Sequence, residues 1–216
     1  MPHSPQIKIC GLTKELDLSL ALEMGADYLG FILYPKSPRA LTLDAALELI
    51  QAVKRGHRVV VDVDTSLQDL AVYDEAGFDF FQIHVGPELD LKLLQAYAEK
   101  VGPDRLWLAP RFESIGSFPV SILPFADTIL VDTFSKKQVG GTGKTGNWEE
   151  FRQLKEQYPD KQLILAGGLN PENVLEAIAQ SGTLHVDINS GIETEPGSKD
   201  ASKMRALFAK LRSEET

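Results

Sequence analysis

The chain has 216 residues, 43% of them hydrophobic and 25% charged, with a formal net charge of −9; one large core is expected, two small domains being the other arrangement this length permits. The negative balance sets aside a nucleic acid or an anionic membrane as partner, because either would bind against the overall field. No run approaches the ~20 apolar residues of a membrane span, Met1-Pro2-His3-Ser4-Pro5-Gln6 lacks the order of a secretion signal, and the single cysteine, Cys10, excludes an intramolecular disulfide and any multi-cysteine metal site, so a cytoplasmic protein is expected.

Short runs rich in Val, Ile, Leu and Phe alternate with segments of helical spacing, which predicts an α/β chain with a parallel sheet. In order, a strand from Gln6 to Cys10 precedes a helix from Lys14 to Met24, and one from Tyr28 to Leu33 precedes a helix from Leu43 to Lys54. A strand from Arg58 to Val63 leads to a helix from Leu67 to Ala76, and one from Phe78 to His84 to a helix from Leu89 to Val101. Strands follow from Arg105 to Ala109 and from Thr128 to Val131, then a helix from Trp148 to Gln157. A strand from Gln162 to Ala166, a helix from Pro171 to Gln180, a strand from Leu184 to Ile188 and a helix from Lys199 to Leu211 complete the pattern. Eight strand units in 216 residues leave about 27 residues each, the economy of a closed (β/α)₈ barrel covering 1–216 as a single domain. An open doubly wound sheet is the alternative, but Cys10-Gly11-Leu12-Thr13 at the first turn carries no dinucleotide fingerprint.

A barrel builds its site at the carboxyl ends of its strands. There the sequence is polar and glycine-rich: Cys10-Gly11, Tyr34 through Arg39, Asp62 and Asp64, His84, Arg111, Asp132, Gly167-Gly168 and Asp187 through Gly191. The opposite ends are plainer, an asymmetry that points to an enzyme. Gly167 and Gly168 after the seventh strand, and Asn189, Ser190 and Gly191 after the eighth, suit a phosphate, since glycine lets backbone N–H groups approach an anion. The turn Gly140-Gly141-Thr142-Gly143-Lys144-Thr145 lacks Walker A spacing and reads either as a lid offering Lys144 to an anion or as a plain surface loop. Asp62, Asp64, His84 and Asp187 show no tight metal-ligand spacing, so no metal is expected. His84 could serve the site or satisfy itself against backbone; His185 reads as structural.

Read together and in order, Lys8-Ile9-Cys10-Gly11-Leu12-Thr13, Gly25-Ala26-Asp27, Ser37-Pro38-Arg39, Gln82-Ile83-His84, Asp132-Thr133, the Gly140–Thr145 turn, Ala166 through Val174 and Val186 through Glu193 resemble the phosphoribosylanthranilate isomerases over almost the whole chain. The resemblance implies an Amadori rearrangement of N-(5′-phosphoribosyl)anthranilate, a small phosphorylated substrate, with no metal or organic cofactor. It implies Cys10 as general base and Asp132 as general acid, Arg39 as partner of the anthranilate carboxylate, and His84, Gly141, Gly143, Lys144 and Asp187 at the substrate. With reference pKa values of about 8.5 and 3.9, a thiol and a carboxyl would both have to shift toward neutrality for those roles. Val85 between His84 and Gly86, and Gly146-Asn147 before Trp148, depart from the family pattern. Rival readings are another sugar-phosphate barrel enzyme, disfavoured by Cys10 where indoleglycerol phosphate-forming enzymes use lysine and glutamate, and a silent phosphate-binding barrel. Monomer and homodimer both remain open.

Overall fold

The computed structural model describes residues 4–54, 57–88, 90–133 and 147–212. Eight parallel strands close into a barrel in chain order: β1 (Gln6–Ile9), β2 (Tyr28–Ile32), β3 (Arg58–Val63), β4 (Phe80–Val85), β5 (Leu106–Pro110), β6 (Thr128–Asp132), β7 (Gln162–Ala166) and β8 (His185–Ile188). The barrel shuts where β8 pairs with β1, Lys8 lying opposite Asp187 in register. Helices α1 (Glu15–Glu23), α2 (Leu43–Ile50), α3 (Leu67–Glu75), α4 (Leu91–Val101), α5 (Trp148–Gln157), α6 (Val174–Ser181) and α7 (Ala201–Arg212) surround it. The fold class read from the strand–helix alternation is the one observed.

The strands read as continuous apolar runs because both faces are buried. Alternate residues such as Ile7, Ile9, Phe31, Val60 and Leu108 face the helices. Their neighbours Val59, Val61, Trp107, Leu130 and Ile164 fill the barrel with Cys10 and Tyr28. Helix α7 shows the matching stripe, burying Met204, Leu207, Phe208 and Leu211 at spacings of three and four. Side-chain caps start five helices: Thr42, Ser66, Asp90, Asn147 and Asp200 accept backbone N–H bonds ahead of α2, α3, α4, α5 and α7.

Three segments differ from expectation. Between β5 and β6 lie two 3₁₀ turns, Ile115–Ser117 and Val120–Phe125, because Pro119 and Pro124 deny the segment the N–H donors of an α-helix. After β8 come a 3₁₀ turn at Ser190–Ile192 and a hairpin of β9 (Glu193–Glu195) and β10 (Ser198–Lys199), so Lys199 belongs to a strand and α7 starts at Ala201. Residues 171–173 form a turn ahead of α6, where the Asn170 and Asn173 side chains bind backbone.

Candidate active site

A cavity of about 260 Å³ opens at the carboxyl ends of the strands. It is lined by Cys10, Gln82, His84, Asp132 and Asp187 and, at one end, by Gly167, Gly168, Asn189, Ser190 and Gly191. A second hollow of about 410 Å³ shares His84, Leu130 and Asp132 with it and extends over Pro110, Arg111 and Phe112. Nine residues singled out from the sequence therefore meet at one cavity. Arg39 is not among its lining residues, and Gly141, Gly143 and Lys144 lie outside the described residues.

Cys10 extends the β1 ladder by one bond, its N–H donating to Ile188 at 2.9 Å. The chain then turns at Gly11, whose φ of +71° favours glycine. A Cβ there would stand 2.7 Å from Asn189 Oδ1 and 2.8 Å from Arg39 Cδ, so this turn lets Asn189 and Arg39 close over the strand end. The loops after β7 and β8 are fitted as tightly. A Cβ on Gly191 would lie 1.9 Å from the Leu169 carbonyl oxygen. Behind it, Asn170 and Asn173 donate side-chain N–H bonds to the Gly168 carbonyl at 3.3 and 3.0 Å.

The interior floor is charged. Lys8 is fully buried and its Nζ donates to Asp187 Oδ1 at 2.8 Å. Cys10 stands on the same face of β1, two residues on. Gly30, across on β2, makes room for both, since a Cβ there would meet Cys10 Sγ and Lys8 Nζ each at 3.0 Å. Burial pushes the Cys10 thiol above its ordinary value, and the Lys8 ammonium opposes that rise without overcoming it. The cation that a lowered thiol requires is thus present, but the thiol lies on the protonated side. Lys8 itself is raised although burial pulls it down, because Asp187 beside it favours the charge.

His84 faces the same space with its Nε2 3.0 Å from Gln82 Nε2. Burial and then Lys8 hold its pKa down to about 4, so the ring is neutral near pH 7. Gln82 is 1% exposed and its Oε1 has no protein partner among the described residues.

Arg39 is gripped by β9. Its Nε donates to Glu193 Oε1 at 2.8 Å and its Nη2 to Oε2 at 2.6 Å, a two-bond fork. Lys199 adds a bond to Glu193 at 3.0 Å and one to Asn189 Oδ1 at 2.9 Å. Burial alone would raise the Glu193 carboxyl, but Arg39 and Lys199 hold it below its ordinary value. Asp62 turns away from the cavity, its carboxylate accepting from the Tyr73 hydroxyl at 2.9 Å and from the Val63 N–H at 2.8 Å.

Reasoning from sequence overlooked Lys8, Gln82, Glu193 and Lys199. Two of these carried a signal: Lys8 and Gln82 stand two residues before Cys10 and His84, and alternation places such pairs on one strand face.

The family model described as "N-(5'phosphoribosyl)anthranilate (PRA) isomerase" matches residues 7–210. Among curated proteins, the N-(5'-phosphoribosyl)anthranilate isomerase of Aquifex aeolicus is 38% identical over 212 residues, covering 97% of this chain and 99% of the relative. That of Syntrophus aciditrophicus is 38% identical over 216 residues, covering 96% and 87%. The crystal structure of phosphoribosyl anthranilate isomerase from Thermotoga maritima superposes with a TM-score of 0.82 at 29% identity, covering 97% of this chain and 99% of that one. A structure of such an isomerase in complex with reduced 1-(o-carboxyphenylamino)-1-deoxyribulose 5-phosphate superposes at 0.78 with 28% identity and the same coverage. With a barrel fold in common and relatives matched over nearly their whole length, the chain is an isomerase and belongs to the N-(5′-phosphoribosyl)anthranilate isomerase family.

Proposed function

We propose that the chain converts N-(5′-phosphoribosyl)anthranilate to 1-(2-carboxyphenylamino)-1-deoxyribulose 5-phosphate in tryptophan biosynthesis, with Cys10 as general base and Asp132 as general acid. The observation that carries this reading is that Cys10, ending β1, and Asp132, ending β6, line one cavity from strands three places apart around the barrel. An acid and a base on separate walls suit a sugar that must be protonated at the ring oxygen and deprotonated at C2′.

The steps balance without an outside oxidant. Asp132 gives its proton to the furanose oxygen as the C1′–O bond breaks and the amine lone pair forms the C1′=N bond. Cys10 as thiolate takes the C2′ proton, the C–H electrons form C1′=C2′ as the C1′=N pair returns to nitrogen, and the enolamine relaxes to the aminoketose by losing its C2′ hydroxyl proton and gaining one at C1′. One carbon is oxidised and its neighbour reduced within the same molecule, so the reaction calls for neither metal nor organic cofactor.

Binding roles follow from the same geometry. Backbone at Gly167, Gly168, Asn189, Ser190 and Gly191 receives the 5-phosphate at one end of the cavity. Arg39, which the fork to Glu193 holds outside the lining of this cavity, is assigned the anthranilate carboxylate on the family resemblance, and Asp187 and the neutral His84 meet the amine and sugar hydroxyls. The cavity lies within one chain, so monomer and homodimer serve this chemistry alike, and neither a nucleic acid nor a membrane has a part in it.

The test is loss of anthranilate-linked fluorescence of freshly generated substrate, compared with its spontaneous decay. Parent enzyme is expected to turn over robustly, and Cys10→Ser and Asp132→Asn each to lose about 10²- to 10⁴-fold in kcat, the usual weight of general acid–base catalysis. Parent protein no faster than buffer while still binding phosphate would overturn the reading in favour of a silent barrel.

A further inference from the structure

We infer that Lys8 is a positioning residue for proton abstraction: its buried ammonium eases ionisation of the Cys10 thiol, and Asp187 acts as the counterweight that limits how far it does so. The inference rests on the reading of Cys10 as base, which makes its thiolate the working form.

Geometry carries the assignment. β1 and β8 pair in parallel with Lys8 opposite Asp187, and the two side chains meet at 2.8 Å inside the barrel. Cys10, two residues on, is therefore on the same strand face as Lys8. Gly30 leaves the gap both atoms occupy, a Cβ there meeting each at 3.0 Å. With Lys8 fully buried, no water competes for its N–H donors, and a cation held against a thiol in such surroundings stabilises the anion far more than it would at the surface.

Other charged groups face this floor. Lys199 on β10 lowers the Cys10 thiol as Lys8 does but spends its bonds on Glu193 and Asn189. Arg39, entering from the loop after β2, is forked to Glu193 on β9. His84 on β4 and His185 on β8 are both kept neutral by burial, with Lys8 adding to the effect. Asp187 is the carboxylate bonded to Lys8 and raises the thiol. Of the cations that lower the Cys10 thiol Lys8 acts most strongly, and Asp187 is the anion opposing it.

Cys10 is the chain's sole thiol and lines the cavity, so the rate of its alkylation by iodoacetamide against pH reads thiolate at that atom alone. Lys8→Met should move this profile to higher pH by a unit or more, about tenfold less reactivity at neutral pH. Asp187→Asn should move it to lower pH. Lys8→Met alone strands a buried carboxylate and risks misfolding. The decisive comparison is therefore Lys8→Met/Asp187→Asn, in which neither charge of the pair is left, with Asp187→Asn, in which Lys8 stays beside the thiol; the double variant should titrate at the higher pH. The acid limb of kcat/KM should shift the same way between those two proteins. Superimposed alkylation profiles, or an alkaline shift in Asp187→Asn, would overturn the inference. Turnover that survives Cys10→Ser alongside the expected alkylation shifts would sink the base assignment and leave this electrostatic one standing.

Discussion

At Gly191 a single added carbon would meet the Leu169 carbonyl oxygen at 1.9 Å and Asn170 Cβ at 2.8 Å, and neither obstacle can swing aside as a side-chain tip could. Gly191→Ala must therefore pry apart the loops after β7 and β8. Overpacking of this kind costs about 1–3 kcal/mol. If the phosphate sits where proposed, KM should rise about tenfold or more while kcat changes less, since about 1.4 kcal/mol of lost binding is a factor of ten. Steady-state kinetics with a melting curve check this, and an unchanged KM would place the phosphate elsewhere. The sequence placed these glycines at strand ends, where they line the cavity, but did not show their interlock. Lys8 stood in plain view inside the Lys8–Thr13 motif. Its importance escaped because a lysine within an apolar strand reads as an outlier until the register shows Asp187 facing it.

The β9–β10 hairpin shows what element-level reasoning could and could not reach. Pro196-Gly197 is a turn signal, and Gly197 adopts a φ of +85° there. Strands of three and two residues are too short for alternation to appear, so Lys199 was assigned to the helix that follows. The long elements fared better, because a strand buried on both faces and a helix with a stripe such as that of α7 each announce their period over many residues. The hairpin's work is to place Glu193 between Arg39 and Lys199. Removing its charge leaves Lys199, wholly buried at its side chain, without a counterion. Breaking such a buried pair costs about 3–5 kcal/mol. Glu193→Gln should accordingly melt well below the parent and show a raised KM as Arg39 loses its fixed orientation. A variant that kept both parent values would show that the hairpin orients nothing.

For the whole molecule, acid is the vulnerable side. His185 is 2% exposed, stacked on Tyr28 at 5.1 Å and edge-on to Trp107 at 5.6 Å, and its Nε2 has no partner among the described residues. Burial holds its pKa down to about 3, and that of His84 to about 4, each from an ordinary 6.5. Between those values and 6.5 the unfolded chain binds more protons than the folded one. Stability therefore falls as pH drops through that window, at up to about 1.4 kcal/mol per pH unit for each histidine. Melting curves from pH 7.5 to 4.5 should show this decline, and His185→Phe, which keeps a ring among Tyr28, Phe80 and Trp107, should flatten it. Equal slopes in the two proteins would remove His185 as a cause. That His185 is structural could be read from its place near the start of a strand; that its surroundings are aromatic could not, since its ring neighbours come from β2 and β5.

The Lys8–Asp187 pair joins residues 179 apart in the chain, across the seam where the barrel closes. During translation the partner of Lys8 does not exist until most of the protein has been made, and a buried ammonium cannot wait in a dry interior without one. β1 must then stay hydrated, or loosely held, until β8 emerges from the ribosome. The chemistry and the last step of barrel closure thus come into being together, and a nascent chain stopped short of β8 has neither.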